Sequence, residues 1–146
     1  MTDVPAVEML HRMEADPDSH VALRTAVDEF GVSADDAPEL LRAMLQWLAG
    51  QGLKDDGAIY VMLESHVARM LHAFILNTAP YRRFCYLHHG AFVDHHPVSP
   101  TDLQPSATYT IELLRREFGA ELSPFLRIWH DQILEGNYRV SCVNLD

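Results

Sequence analysis

Leu71–Pro97 reads LHAFILNTAPYRRFCYLHHGAFVDHHP, and the way this run divides into helices decides the fold. Its opening, together with Met70, is apolar nearly all round, as the end of a helix buried on more than one side should be. Ile59, Leu63, His66, Val67, Met70 and Phe74 continue the stripe backwards at helical spacing, predicting a central helix from about Ala58 to Asn77. Thr78 then caps a second helix. Pro80 falls in its first turn, where a missing N–H does no harm, and Tyr81, Phe84, Cys85 and His88 share an inner face until Gly90 ends it.

The flanks carry the same period. Val4, Val7, Leu10 and Met13 predict a short first helix over Val4–Glu14, broken at Asp16–Ser19, and a second helix runs from Ser19 to Gly31. In VSADDAPELLRAMLQWLAGQG, Ser33 reads as an N-cap with Asp36 three residues on, Leu40, Leu41, Met44, Leu45 and Leu48 form one face, and Gly50 reads as the stop. A proline-studded connection, AFVDHHPVSPTDLQPS, leads to helices at about Ala107–Phe118 and Pro124–Leu134, the latter with Ser123 as N-cap and Gly136 as stop. The tail NYRVSCVNLD alternates like a short strand for which no partner is evident. The expectation is an all-α chain: one compact helical bundle of six or seven helices around a buried central helix, residues 1–146 forming a single domain.

Twenty-one acidic residues against eleven basic ones give a formal charge of −10. So acidic a surface repels phosphate backbones and anionic lipid, which argues against nucleic acid and membrane as partners. The start MTDVPAVEMLHRMEADPDSH lacks the order of a signal peptide and no run is long enough to span a bilayer, so a cytoplasmic location is expected. Cys85 and Cys142 stand far apart without a CxxC pair and are expected to be reduced thiols. Protonating all nine histidines would nearly cancel the net charge, so solubility should depend on pH.

Five of those nine histidines lie in the opening run. Cys85 meets His88 at i+3 and His89 at i+4, where helical side chains converge. His95 and His96 follow Gly90 closely enough to fold back onto them. His72 lies about opposite the central stripe and is expected to be buried against a second layer, whereas His66, within the stripe, reads as a hydrogen-bonded core residue. Imidazole and thiolate ligands suit zinc, iron or copper, and the proposed set is His72 and His95 with Cys85, His88, His89 or His96 completing it. Clustered carboxylates for a hard cation are absent from the run.

The same residues carry a resemblance. The run is similar to the glycine-rich domain-containing-protein-like family, in its small bacterial members, whose pattern reads Trp-His-x-Phe-Ile-Leu-x-Thr, then Tyr-x-x-Phe-Cys, then Gly-x-Phe, then His and Pro. The matching residues are His72, Phe74, Ile75, Leu76, Thr78, Tyr81, Phe84, Cys85, Gly90, Phe92, His95 and Pro97, and Tyr109–Gly119 looks like the helix that follows. Leu71 stands where the family has tryptophan, and Ala68 where it has an acidic residue, so that a role in orienting a histidine would fall to another residue such as Glu64. The resemblance implies a helical fold, singles out His72 and His95, and brings no activity with it.

No GxSxG elbow, phosphate loop, dinucleotide fingerprint or HExxH is present, so no nucleotide cofactor is expected. Cys85 with His72 or His95 as nucleophile and base is disfavoured by its apolar neighbours. Two functions remain: metal-assisted chemistry on a small molecule at the histidines, or a non-catalytic accessory protein whose histidines are structural. In the second, apolar surface around Trp47, Trp129 and Phe125 would dock a protein partner or a second copy as a homodimer, unless those aromatics simply cover the central helix.

Overall fold

The computed structural model describes residues 5–97 and 103–144; Val4 and the middle of the proline-studded connection lie outside them. Among the described residues seven α-helices carry the fold: α1 Pro5–Ala15, α2 Val21–Phe30, α3 Ala37–Gln51, α4 His66–Leu76, α5 Thr78–His89, α6 Gln104–Phe118 and α7 Pro124–Leu134. Short 3-10 turns at Pro17–His20 and Gly119–Glu121 join α1 to α2 and α6 to α7. The chain is all-α with one small sheet attached, built from β1 Tyr60–Leu63, β2 His96–Pro97 and β3 Val140–Asn144.

That sheet corrects two expectations. The central helix does not begin at Ala58, because Tyr60–Leu63 is extended and Ser65 caps α4, its hydroxyl accepting from the Ala68 N–H at 3.3 Å. The tail does have partners. β3 lies in the middle of the sheet, antiparallel to both neighbours, with Tyr60 opposite Asn144, Met62 opposite Cys142 and His96 opposite Val143. All four β1 residues are buried, which is why they pass for one turn of a buried helix in the sequence. β1 is nevertheless covered on its outer edge, where its Val61 N–H donates to Thr110 Oγ1 of α6 at 3.0 Å.

Shortening α4 moves two histidines. His66 becomes its first residue and is exposed, not held in the core, and His72 is also exposed rather than covered by a second layer. The centre still holds: Val67, Met70, Leu71 and Phe74 are buried, and α4 packs against α2, α3, α5 and α7.

Trp47 and Trp129 both lie in the core, so these two rings offer no docking surface and the plain packing reading stands for them. Gly50, read as a helix stop, is buried inside α3. A Cβ there would collide with the Tyr60 hydroxyl and come within 2.8 Å of Leu114, so glycine lets β1 and α6 close onto the helix. Tyr60 completes that contact by donating to the Trp47 carbonyl at 2.8 Å. Gln46, also buried, ties α3 to the α6–α7 turn, donating to the Glu121 carbonyl and accepting from the Ser123 N–H, each at 2.8 Å.

Candidate functional site

Gly90, in the left-handed region at φ 74°, ends α5 and turns the chain back along it. The return strand brings Phe92, Val93 and His95 over Tyr81. Aromatic edges fix that tyrosine: Phe74 lies 5.0 Å and Phe92 5.5 Å from its ring, both nearly perpendicular. Its hydroxyl is 2.9 Å from the Val93 carbonyl and 2.6 Å from His95 Nε2. A phenol has one proton. Given to the carbonyl, it leaves the oxygen to accept from a protonated Nε2, so Nδ1 carries the lone pair.

The third strand completes the ring's environment. With its amide nitrogen turned towards the surrounding acceptors, Asn144 donates to His95 Nδ1 at 3.0 Å and to the Asp94 carbonyl at 2.9 Å. Cys142, two residues earlier on the same side of β3, places its sulfur 3.8 Å from Nδ1. The Trp47 indole stacks on the imidazole with centroids 5.9 Å apart, and its N–H donates to the Val61 carbonyl at 2.9 Å. One histidine thus joins α3, α5 and β3.

Everything in this cluster is held neutral. Burial first, and then nearby His72, push the His95 imidazole down to about 4, and the Asn144 amide, turned so that it donates to Nδ1, favours the uncharged ring as well. Burial pushes the Cys142 thiol up to about 11, raises the Cys85 thiol, and raises the Tyr81 phenol far more. Near pH 7 these groups are two thiols, a phenol and a neutral imidazole. A thiolate–imidazolium nucleophile needs the opposite shifts.

The other histidines serve different places. His88 Nε2 lies 2.9 Å from Asp16 Oδ2, with side chains 6% and 10% exposed. Asp16 uses its other oxygen to accept from the Asp18 N–H at the 3-10 turn, and Arg83 grips Asp18 at 3.0 Å, so α5 is clamped to the α1–α2 connection. His89 points elsewhere, its Nδ1 so near α3 that a Cβ on Gly52 would sit 3.0 Å from it. Its Nε2 is buried without a partner among the described residues, and burial, then His88, push this ring too down to about 4. It lines a cleft of about 230 Å³ with Lys54, Asp56, Asp94 and Asn144. His96 is half-buried on β2, and His72 lines an open cleft with Glu64, His66, Arg69 and Ser141.

Of the proposed ligands, then, His95 and Cys85 meet at Tyr81, with His72 near His95, while His88 and His89 diverge. Among the described residues no three His, Cys, Asp or Glu side chains form a group able to hold an ion. Sequence reasoning missed Tyr81 as the hub, read Cys142 only as a reduced thiol and Asp16 only as a helix break, and did not single out Asn144. A buried tyrosine needs a hydroxyl partner, which was a usable signal for Tyr81; the tail residues are brought in only by strand pairing. Among the described residues no helix is long and apolar enough to cross a membrane. No family model, curated protein or solved structure matches the chain.

Proposed function

We propose that this is a cytoplasmic accessory protein that acts by binding a protein or small-molecule partner, its buried histidines being structural. The observation that carries the reading is the neutral, mutually satisfied set Tyr81–His95–Asn144, in which both imidazole nitrogens are already engaged. The flanking thiols, raised by burial, add to it, since neither is prepared as a nucleophile. The residues that resemble the glycine-rich domain-containing-protein-like pattern fit the same reading. Tyr81, Cys85, Phe92 and His95 supply the hub and its cover, so the pattern encodes a fold-holding cluster. The decisive measurement is alkylation of the native protein by iodoacetamide across pH. Cys85 and Cys142 should react only as the chain unfolds or near the raised thiol range. Fast labelling of either at pH 7 would sink the reading.

One distance favours a second reading, a transition-metal centre. The 3.8 Å between His95 Nδ1 and Cys142 Sγ is close to the roughly 3.6 Å that separates nitrogen and sulfur ligands on a tetrahedral zinc. His72, close enough to lower the His95 ring, would be the third ligand, displacing Asn144 from Nδ1. Elemental analysis of chelator-free protein decides between them. Near-stoichiometric zinc, iron or copper lost in both His95→Ala and Cys142→Ala establishes the centre; metal-free folded protein that takes up none when offered rejects it.

A further inference from the structure

Most of the molecule's surface charge is acidic, yet three of its ten arginines converge on one cleft. α6 ends at Phe118, turns through Gly119–Glu121 and re-enters as α7, and the cleft of about 610 Å³ lies where the two helices diverge. Arg115 and Arg116 reach it from the last turns of α6, Arg127 and His130 from α7, and Glu112 and Asp131 also line it.

Cations near the end of α6 have an ordinary explanation, since they complement the helix dipole. Arg127 does not fit that account, because it lies in the first turns of α7, where the dipole favours anions. Its Nη2 donates to the Ala120 and Leu122 carbonyls at 2.9 and 2.8 Å, which fixes the guanidinium plane against the turn. Nε and Nη1 keep their donors, with no acceptor for them among the described residues. Arg115 likewise has no carboxylate partner among those residues, although Glu112 lines the same cleft, and Arg116 reaches Glu117 instead. Two guanidiniums, Arg115 and Arg127, thus share a cleft without a carboxylate partner among the described residues, and an anion from outside would stabilise them.

From this arrangement we infer that the α6–α7 cleft is a binding site for a small molecule bearing a carboxylate or phosphate group. Arg127, its plane fixed against the turn, keeps N–H donors at Nε and Nη1 for an oxygen of such a group, and Arg115 and Arg116 supply the remaining charge. The cleft is roomy enough for a metabolite-sized ligand. Glu112 and Asp131 set the rest of the chemistry. They repel extended polyanions and accept hydrogen bonds from hydroxyl or amine groups beside the anionic one, which selects a small ligand over a nucleic acid. This site is independent of the His95 cluster and of the function proposed there.

Calorimetric titration of the full chain with inorganic phosphate, and separately with succinate, tests the inference against sodium chloride at matched ionic strength. Saturable one-site binding of either anion, weakened at least tenfold in Arg115→Glu, is the expected result; which anion binds names the group. Arg127→Lys keeps the charge but loses the group held in place by the turn carbonyls, and should weaken binding as well. Should that variant fail to fold, exposed Arg115 decides alone, with circular dichroism confirming its fold. Heats no larger than those of chloride for both anions, or binding that Arg115→Glu leaves intact, overturn the assignment.

Discussion

His88 and His95 lie on either side of the Gly90 turn and are buried in opposite manners. His88 faces a carboxylate, Asp16, at 2.9 Å and fastens α5 to the N-terminal helices. His95 faces a phenol, an amide and a thiol, and fastens α5 to the sheet. A buried imidazole can be accommodated by giving a ring nitrogen a carboxylate partner or by surrounding the neutral ring with matched dipoles, and this chain uses both within eight residues. The first arrangement is strong but fragile, because losing either partner strands the other. The second is insensitive to charge near neutrality and becomes a liability only in acid.

That contrast is broken most directly at Asp16. Asp16→Ala removes the partner of His88 and the acceptor at the Asp18 N–H together, and should cost about 4 kcal/mol in urea unfolding; a loss below about 1 kcal/mol would mean that the pair is not a clamp. Acid sharpens the other side. His95 and His89 are held at about 4 in the folded chain against about 6.5 unfolded, so between those values the unfolded chain binds protons that the native one refuses. Stability is therefore full above pH 6.5 and falls as the pH drops. From pH 7 to 5 the loss should be about 4 kcal/mol, and His95→Gln should remove about half of that slope, as unfolding titrations at several pH values will read. Tyr81→Phe leaves the Val93 carbonyl and His95 Nε2 without their shared partner and should cost about 2 kcal/mol. The surface gives the scale: Glu8→Ala, which breaks an exposed pair with Arg12, should change stability by only about 0.4 kcal/mol.

Most of the helices were legible because their ends are marked locally, α3 at Gly50 and the start of α4 being the exceptions. Pro124 after Ser123, and Gly90 and Gly136 at left-handed positions, mark boundaries that depend only on neighbouring residues. The sheet was not, since Tyr60–Leu63 is buried on every side and a short apolar run has no period to separate strand from helix. The signal lay beside it, in Gly57 at φ 80° and in Ser65. The candidate site inherits this split. His95, Cys85 and Tyr81 belong to one local run and were in view, although Tyr81 was read as packing alone. Asn144 and Cys142 enter through a strand that no local pattern could pair. His72 was misplaced because the apolar run around it suggested cover on every side, whereas its own face, with His66 and Arg69, lines an open cleft.

The position of β3 between β1 and β2 has a consequence for how the molecule is made. A chain synthesised from its N-terminus produces the seven described helices, and both outer strands, before the middle strand exists. Until then the inner edges of β1 and β2 have open backbone groups, and His95 lacks its amide partner. The helical body can assemble early from near neighbours, while the sheet waits for a pairing between distant parts of the chain. The interval between the two is when this protein is most exposed to aggregation, and β3 is the piece that ends it.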